Sequence, residues 1–208
     1  TFEVKIAGAS FCIKPDEAYF VAINPFDDEP GLFENKLSDR LPISTFIKIF
    51  KKVFENDDIK KVCQNGKYDI AVLRSIGIAV KNFYFDTMLA SYVLDADQKH
   101  GMDDLSEKYL NYSPIPISTL IGDKKDPAKI FEAEASILSN YAAEDADITY
   151  KLYEKLDKEL KKAGIEKVAY DIEFPLVPVL EDMENEGIKI DIPALNQFSK
   201  DLQILIVR

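Results

Sequence analysis

Residues 60–77 read "KKVCQNGKYDIAVLRSIG". A brief β-favouring run ends in the polar pair Gln64 and Asn65, and Gly66 supplies the freedom to turn. Residues 68–75 then read as a helix closed by Gly77. The same order recurs at once: "NFYFD" (82–86) reads as a strand and "TMLASYVL" (87–94) as a helix. Strands that alternate with helices predict an α/β fold, a mixed sheet flanked by helices.

Upstream, residues 5–13 and 19–24 are short apolar runs separated by "KPDEA", which predicts an antiparallel hairpin. A loop at 26–33 follows. Ile43, Phe46, Ile47, Phe50, Val53 and Phe54 then recur at helical spacing. Downstream, 103–110 reads as a short helix, "SPIPIS" as a stiff extended connector, and 136–162 as one long periodic helix. Beyond Gly164 a new helix, a glycine turn, a short strand and a further helix place a domain boundary at 163–170.

Acids outnumber Lys and Arg by 37 to 26 over 208 residues, a net charge of −11. Such a surface does not grip a polyanion by itself, so a nucleic-acid partner needs local help such as bound cations. The two cysteines, Cys12 and Cys63, have neither the number nor the spacing of a disulfide framework or zinc site, and read as small core residues in a reducing, cytoplasmic setting. No stretch approaches the ~20 apolar residues of a membrane span. The lone histidine, His100, reads as a surface or rim residue, and no glycine-rich phosphate loop is present. The missing initiating Met and the uncapped "DLQILIVR" end are expected of a fragment of a longer chain.

The long helix raises a charge question. Its apolar stripe runs through Leu138, Tyr141, Ile148, Leu152 and Leu156, and Asp145 falls inside that stripe, within roughly 60° of each position. Glu144 and Asp147 lie off it and read as a solvated face. A carboxylate turned toward a core needs a cation or a metal, and no Lys or Arg shares its face within a turn. Tyr141, at i−4, projects beside it. The second candidate is Asp69, in the first turn of a helix that starts at a strand end, where ligand sites gather in α/β sheets. Helix capping explains an acid there equally well.

"CQNGKYDIAVL", "FDTMLASYVLDA", "HGMDDLSEKYL" and above all "YAAEDADITYKLY" resemble, in order, the proofreading 3′-5′ exonuclease domain of family A DNA polymerases, those of the bacterial polymerase I type. "EFPLVPVLEDMENEGIKID" resembles the stretch that joins this domain to the polymerase thumb, which argues against ribonuclease D-like, RNA-trimming relatives. The resemblance implies a ribonuclease H-like fold and two divalent ions, Mg²⁺ or Mn²⁺, held by four acids. It implies an exonuclease domain over 1–165 and the start of a polymerase domain over 166–208. Its partners are a single-stranded 3′ end of DNA and the polymerase part of the same chain.

Residue by residue, Asp69 and Asp145 match metal-binding acids, and Tyr141 matches the tyrosine that orients the attacking water. Gln64, Asn65 and Tyr68 match positions near the frayed strand, and Lys99 a basic residue at the substrate. The family's first motif, Asp-x-Glu on an opening strand, has no counterpart here: "DDEP" falls in a loop and "EDMENE" in a helix. The fold is thus expected to lack its first strand and the fragment alone to cleave little. A degenerate, non-catalytic scaffold is the competing expectation.

Overall fold

The computed structural model describes residues 5–25, 40–122, 127–131 and 133–206. The loop expected at 26–33 lies outside the described residues. The hairpin forms from β1 (Gly8–Lys14) and β2 (Glu17–Asn24), antiparallel, and β2 continues in parallel to the two-residue β3 (Leu41–Pro42). β4 (Lys61–Cys63) and β5 (Phe83–Asp86) pair in parallel as a second sheet. The single mixed sheet expected from the sequence is therefore two small sheets among the described residues, because no described strand bonds β1 to β4.

Helices take the positions their periodicity requires. α1 (Ile43–Phe54) buries Phe46 and stacks it on Phe50, which stacks in turn on Phe11 of β1. α2 (Gly66–Ser75) follows β4 and stops at Gly77, whose positive φ of 79° and N–H to the Arg74 carbonyl close the last turn. α3 (Thr87–Leu94) follows β5, and α4 (Met102–Leu110) and the unforeseen short α5 (Ser118–Ile121) lead to α6 (Ala135–Ala163). α6 ends on Gly164 at φ 70°. α7 (Glu166–Val168), a π-helical stretch (Ala169–Glu173), α8 (Phe174–Glu186) and α9 (Ile192–Ile206) complete the chain.

One core gathers Phe85 and Ala90, Leu105, and Ile148, Leu152, Leu156 and Leu160 of α6. Ala169 and Phe174 belong to it as well, so packing runs across the boundary read at 163–170. The apolar residues of that stretch find their burial on α6. By contrast, α9 buries no residue. No described helix is long and apolar enough to cross a membrane.

Candidate metal and nucleic-acid site

The strand-to-helix turn at 63–69 is set by two residues and latched by a third. Asn65 itself takes the left-handed conformation (φ 60°, ψ 47°), which an asparagine tolerates better than most side chains. Gly66 is required for a different reason from the one its sequence position suggested: a Cβ there would overlap the Phe83 ring and the Cys63 side chain. The latch is Asp86, 1% exposed at the end of β5. Its carboxylate accepts from the Gly66 amide at 2.7 Å and the Asn65 amide at 3.3 Å, and also caps α3 through Met88 N–H (2.9 Å) and Leu89 N–H (3.3 Å). Sequence reading passed over Asp86, although an Asp directly before a helix is a capping signal.

Asp69 stands one turn into α2, with its surface open to solvent and the domain close around it. Burial, then the neighbouring charge of Asp86, push its pKa up to about 7. Cys63 shares this neighbourhood: burial, then Asp69 and Asp86, raise its thiol well above the ordinary value, so it stays protonated. Both cysteines are free and only half-buried, not core residues.

On α6 each acid has a different partner. Asp145 is half-buried at the margin of the fully buried stripe, and its pKa rises to about 7 through burial, with Glu144 and Asp103 adding like charge and a hydrogen bond from Tyr141 opposing them. No described Lys or Arg is among the groups that shift it. Burial and Asp145 push the Tyr141 phenol well above its usual range, so the hydroxyl keeps its proton. Glu144 and Asp147 are not the solvated face the helical wheel suggested. Glu144 accepts from Tyr112 Oη at 2.5 Å and from the Ile115 amide at 2.7 Å, fastening the proline-rich connector to α6. Asp147 accepts from the Asp16 amide at 2.7 Å and from Lys151 Nζ at 2.6 Å, holding the tip of the β1–β2 hairpin. The contacts to Tyr112, Ile115 and Asp16 join segments far apart in sequence, which a helical wheel cannot contain; Lys151 lies one turn on in the same helix.

The remaining candidates divide by exposure. Tyr68 is 64% exposed, and Lys99 is an open side chain 3.4 Å from Asp104. Gln64 is engaged: its amide donates to the His100 carbonyl at 2.9 Å, and its Oε1 accepts from the Thr87 hydroxyl. His100 is half-buried rather than open. Its Nδ1 lies 2.8 Å from Ser91 Oγ, and its Nε2 is enclosed.

Two carboxylates with raised pKa and no paired cation have the donor chemistry of a hard-cation site. They occupy separate electrostatic neighbourhoods, however: Asp69 feels Asp86, whereas Asp145 feels Glu144 and Asp103. Among the described residues no group of three or more His, Cys, Asp or Glu side chains could hold a metal ion. Asp103, in the first turn of α4, is the acid near Asp145 and Tyr141 that sequence reading treated only as a helix start.

A family model described as 3′-5′ exonuclease matches residues 18–161. The chain is 40% identical over 173 residues to DNA polymerase I of Rhizobium leguminosarum, covering 83% of this chain and 16% of that protein. It is 31% identical over 191 residues to DNA polymerase I of Borreliella burgdorferi, covering 92% and 20%. The chain thus spans a fifth or less of the length of these two relatives. Among solved structures, the POL domain of Pol1 from M. smegmatis, in complex with DNA primer-template and dNTP, superposes with a TM-score of 0.59 at 20% identity, covering 79% of this chain and 25% of that one. Brucella melitensis NrnC with bound Mg²⁺ gives 0.54 at 23% identity, covering 68% and 66%. These two likenesses support the fold.

Proposed function

Because the chain belongs to the 3′-5′ exonuclease family, we propose that it forms the site that hydrolyses nucleotides from a frayed single-stranded 3′ end of DNA, with polymerase sequence in the same parent chain. Residues 166–208 are the beginning of that polymerase part in this reading. The observation that carries it is Asp145, a half-buried carboxylate whose charged neighbours are acids and beside which stands the Tyr141 phenol. An acid so placed is tolerated where a cation meets it.

Phosphodiester hydrolysis adds charge to a group already anionic, and two divalent ions, Mg²⁺ or Mn²⁺, when bound would stabilise the attacking and leaving oxygens. Asp145 and Asp69 would hold them as hard oxygen donors. Tyr141 keeps its proton at neutral pH, so it donates to Asp145 and leaves an oxygen lone pair to orient water; it does not act as a base. The exposed Tyr68 ring suits stacking on an unpaired base. Lys99 can trade Asp104 for a phosphate. Asn65 lies at the turn beside them, and Gln64 acts by fixing the His100 loop.

Degradation of 5′-labelled single-stranded DNA by the longest natural chain containing these residues tests the reading. Shortening from the 3′ end that requires Mg²⁺ or Mn²⁺ and falls at least about a hundredfold in Asp145→Ala supports it. Full activity in that variant, or none in the unsubstituted protein, overturns it, the latter in favour of a scaffold. Cleavage confined to RNA would reassign the substrate. The 208-residue chain alone is expected to cleave slowly, because it carries two of the four acids the family motif uses.

A further inference from the structure

We infer that α8 is a positioning element for the nuclease site: it clamps α2, the helix that carries Asp69, through two sets of ion pairs spaced two helical turns apart. Lys67 Nζ lies 2.5 Å from Glu184 Oε1, and Arg74 reaches Glu181 Oε2 at 2.9 Å and also contacts Asp182. Seven residues separate Lys67 from Arg74, so both project from one face of α2. Asp69 lies about 200° around the helix from Lys67, on the opposite side. The clamp therefore holds the helix from behind and leaves the carboxylate clear of α8.

The clamp has a fixed base. Ala169 and Phe174 are sealed in the core beside Leu156 and Leu160. Phe174, Val177 and Glu181, at helical spacing, form the buried face of α8, which packs on α2 and β5. Glu181 is 2% exposed, and Arg74 lies against it at 2.9 Å. The contact is a close ion pair without hydrogen-bond geometry, since Oε2 has no hydrogen-bond partner. A buried carboxylate with one cation is destabilising when that cation is lost, unlike an ordinary surface pair. The segment after residue 166 thereby sets where α2 stands, and through it the site's geometry.

The inference rests on the role proposed above for Asp69, and two readouts on the full chain separate them. Hydrogen exchange of the amides at 66–70 reports whether α2 is held, and calorimetric Mn²⁺ binding reports whether the site depends on it. Lys67→Glu, and the neutral double variant Arg74→Gln with Glu181→Gln, should each speed exchange at 66–70 about tenfold and weaken Mn²⁺ binding severalfold. The charge swap Lys67→Glu with Glu184→Lys should restore both. If Lys67→Glu does not fold, the neutral double variant decides, because it leaves no buried charge unpaired. Unchanged exchange, or a swap that restores nothing, overturns the inference. No Mn²⁺ binding by the unsubstituted chain overturns the exonuclease reading instead, and exchange alone then decides whether α8 holds α2.

Discussion

The Asp86 carboxylate at the end of β5 accepts a 2.7 Å hydrogen bond from the Gly66 amide just after β4, joining two parallel strands at the ends from which α2 and α3 depart. One buried side chain thus serves four backbone donors in two turns. Asp86→Ala should cost about 3 kcal/mol, a lost cap plus buried amides left without an acceptor. Asp86→Asn should cost less, because its amide oxygen can keep the bonds to Met88 and Leu89 while the Gly66 amide loses its acceptor. Urea unfolding of the two variants measures the difference.

Asp145 should make stability fall as pH rises. Its folded pKa of about 7 lies above the ordinary 3.8, so the folded state holds its proton more tightly. Its contribution is fully present below pH ~4 and is lost as pH rises through about 7. Asp145→Asn, which cannot ionise, should match the parent near pH 4 and exceed it by about 1–2 kcal/mol at pH 8, after allowance for solvent screening. Denaturant titrations at the two pH values check the sign, and a variant less stable than the parent at pH 8 would contradict it.

Glu144 should govern the connector rather than the fold. Glu144→Ala frees Tyr112 Oη and the Ile115 amide, both near the surface. The loss should stay near 1 kcal/mol, while exchange of the Ile115 amide and proteolysis within 111–117 quicken markedly. Limited proteolysis of the two proteins side by side shows whether cleavage moves there.

Phe174 tests whether the core crosses the expected boundary. Its ring, 1% exposed, lies 4.7 Å from Phe85 and 5.2 Å from Tyr170, centroid to centroid. Phe174→Ala should cost about 3–5 kcal/mol and lower a single transition common to helices on both sides of residue 166. Two separated transitions in calorimetry, with only one of them shifted, would mean that the segments fold apart.

Much of the fold was legible because it is periodic. α1 and α3 begin and end where apolar spacing and turn residues put them, and α6 differs from its reading by a residue at each end. Of the two candidate acids, Asp145 was singled out because it breaks a local rule, as a charge on an apolar stripe; Asp69 satisfies one, as an acid in a helix's first turn, and stood out only by its place after a strand end and by the family motif. Asp86 and Asp103 were not, because each satisfies a local rule, the first as a helix cap and the second as an acid in a first turn.

The sequence by itself determined the alternation of strands and helices, the stripe on α6 and the family motifs, all of them patterns carried by neighbours within a few turns of chain. Tertiary structure alone decided that Glu144 holds Ile115, that Asp147 holds Asp16, and that α8 grips α2 through Arg74 and Lys67. Those contacts join residues from 29 to 131 positions apart, as Glu144 to Ile115 and Asp147 to Asp16 show. A carboxylate's role depends on which donors or cations meet it, and spacing along one helix does not encode that.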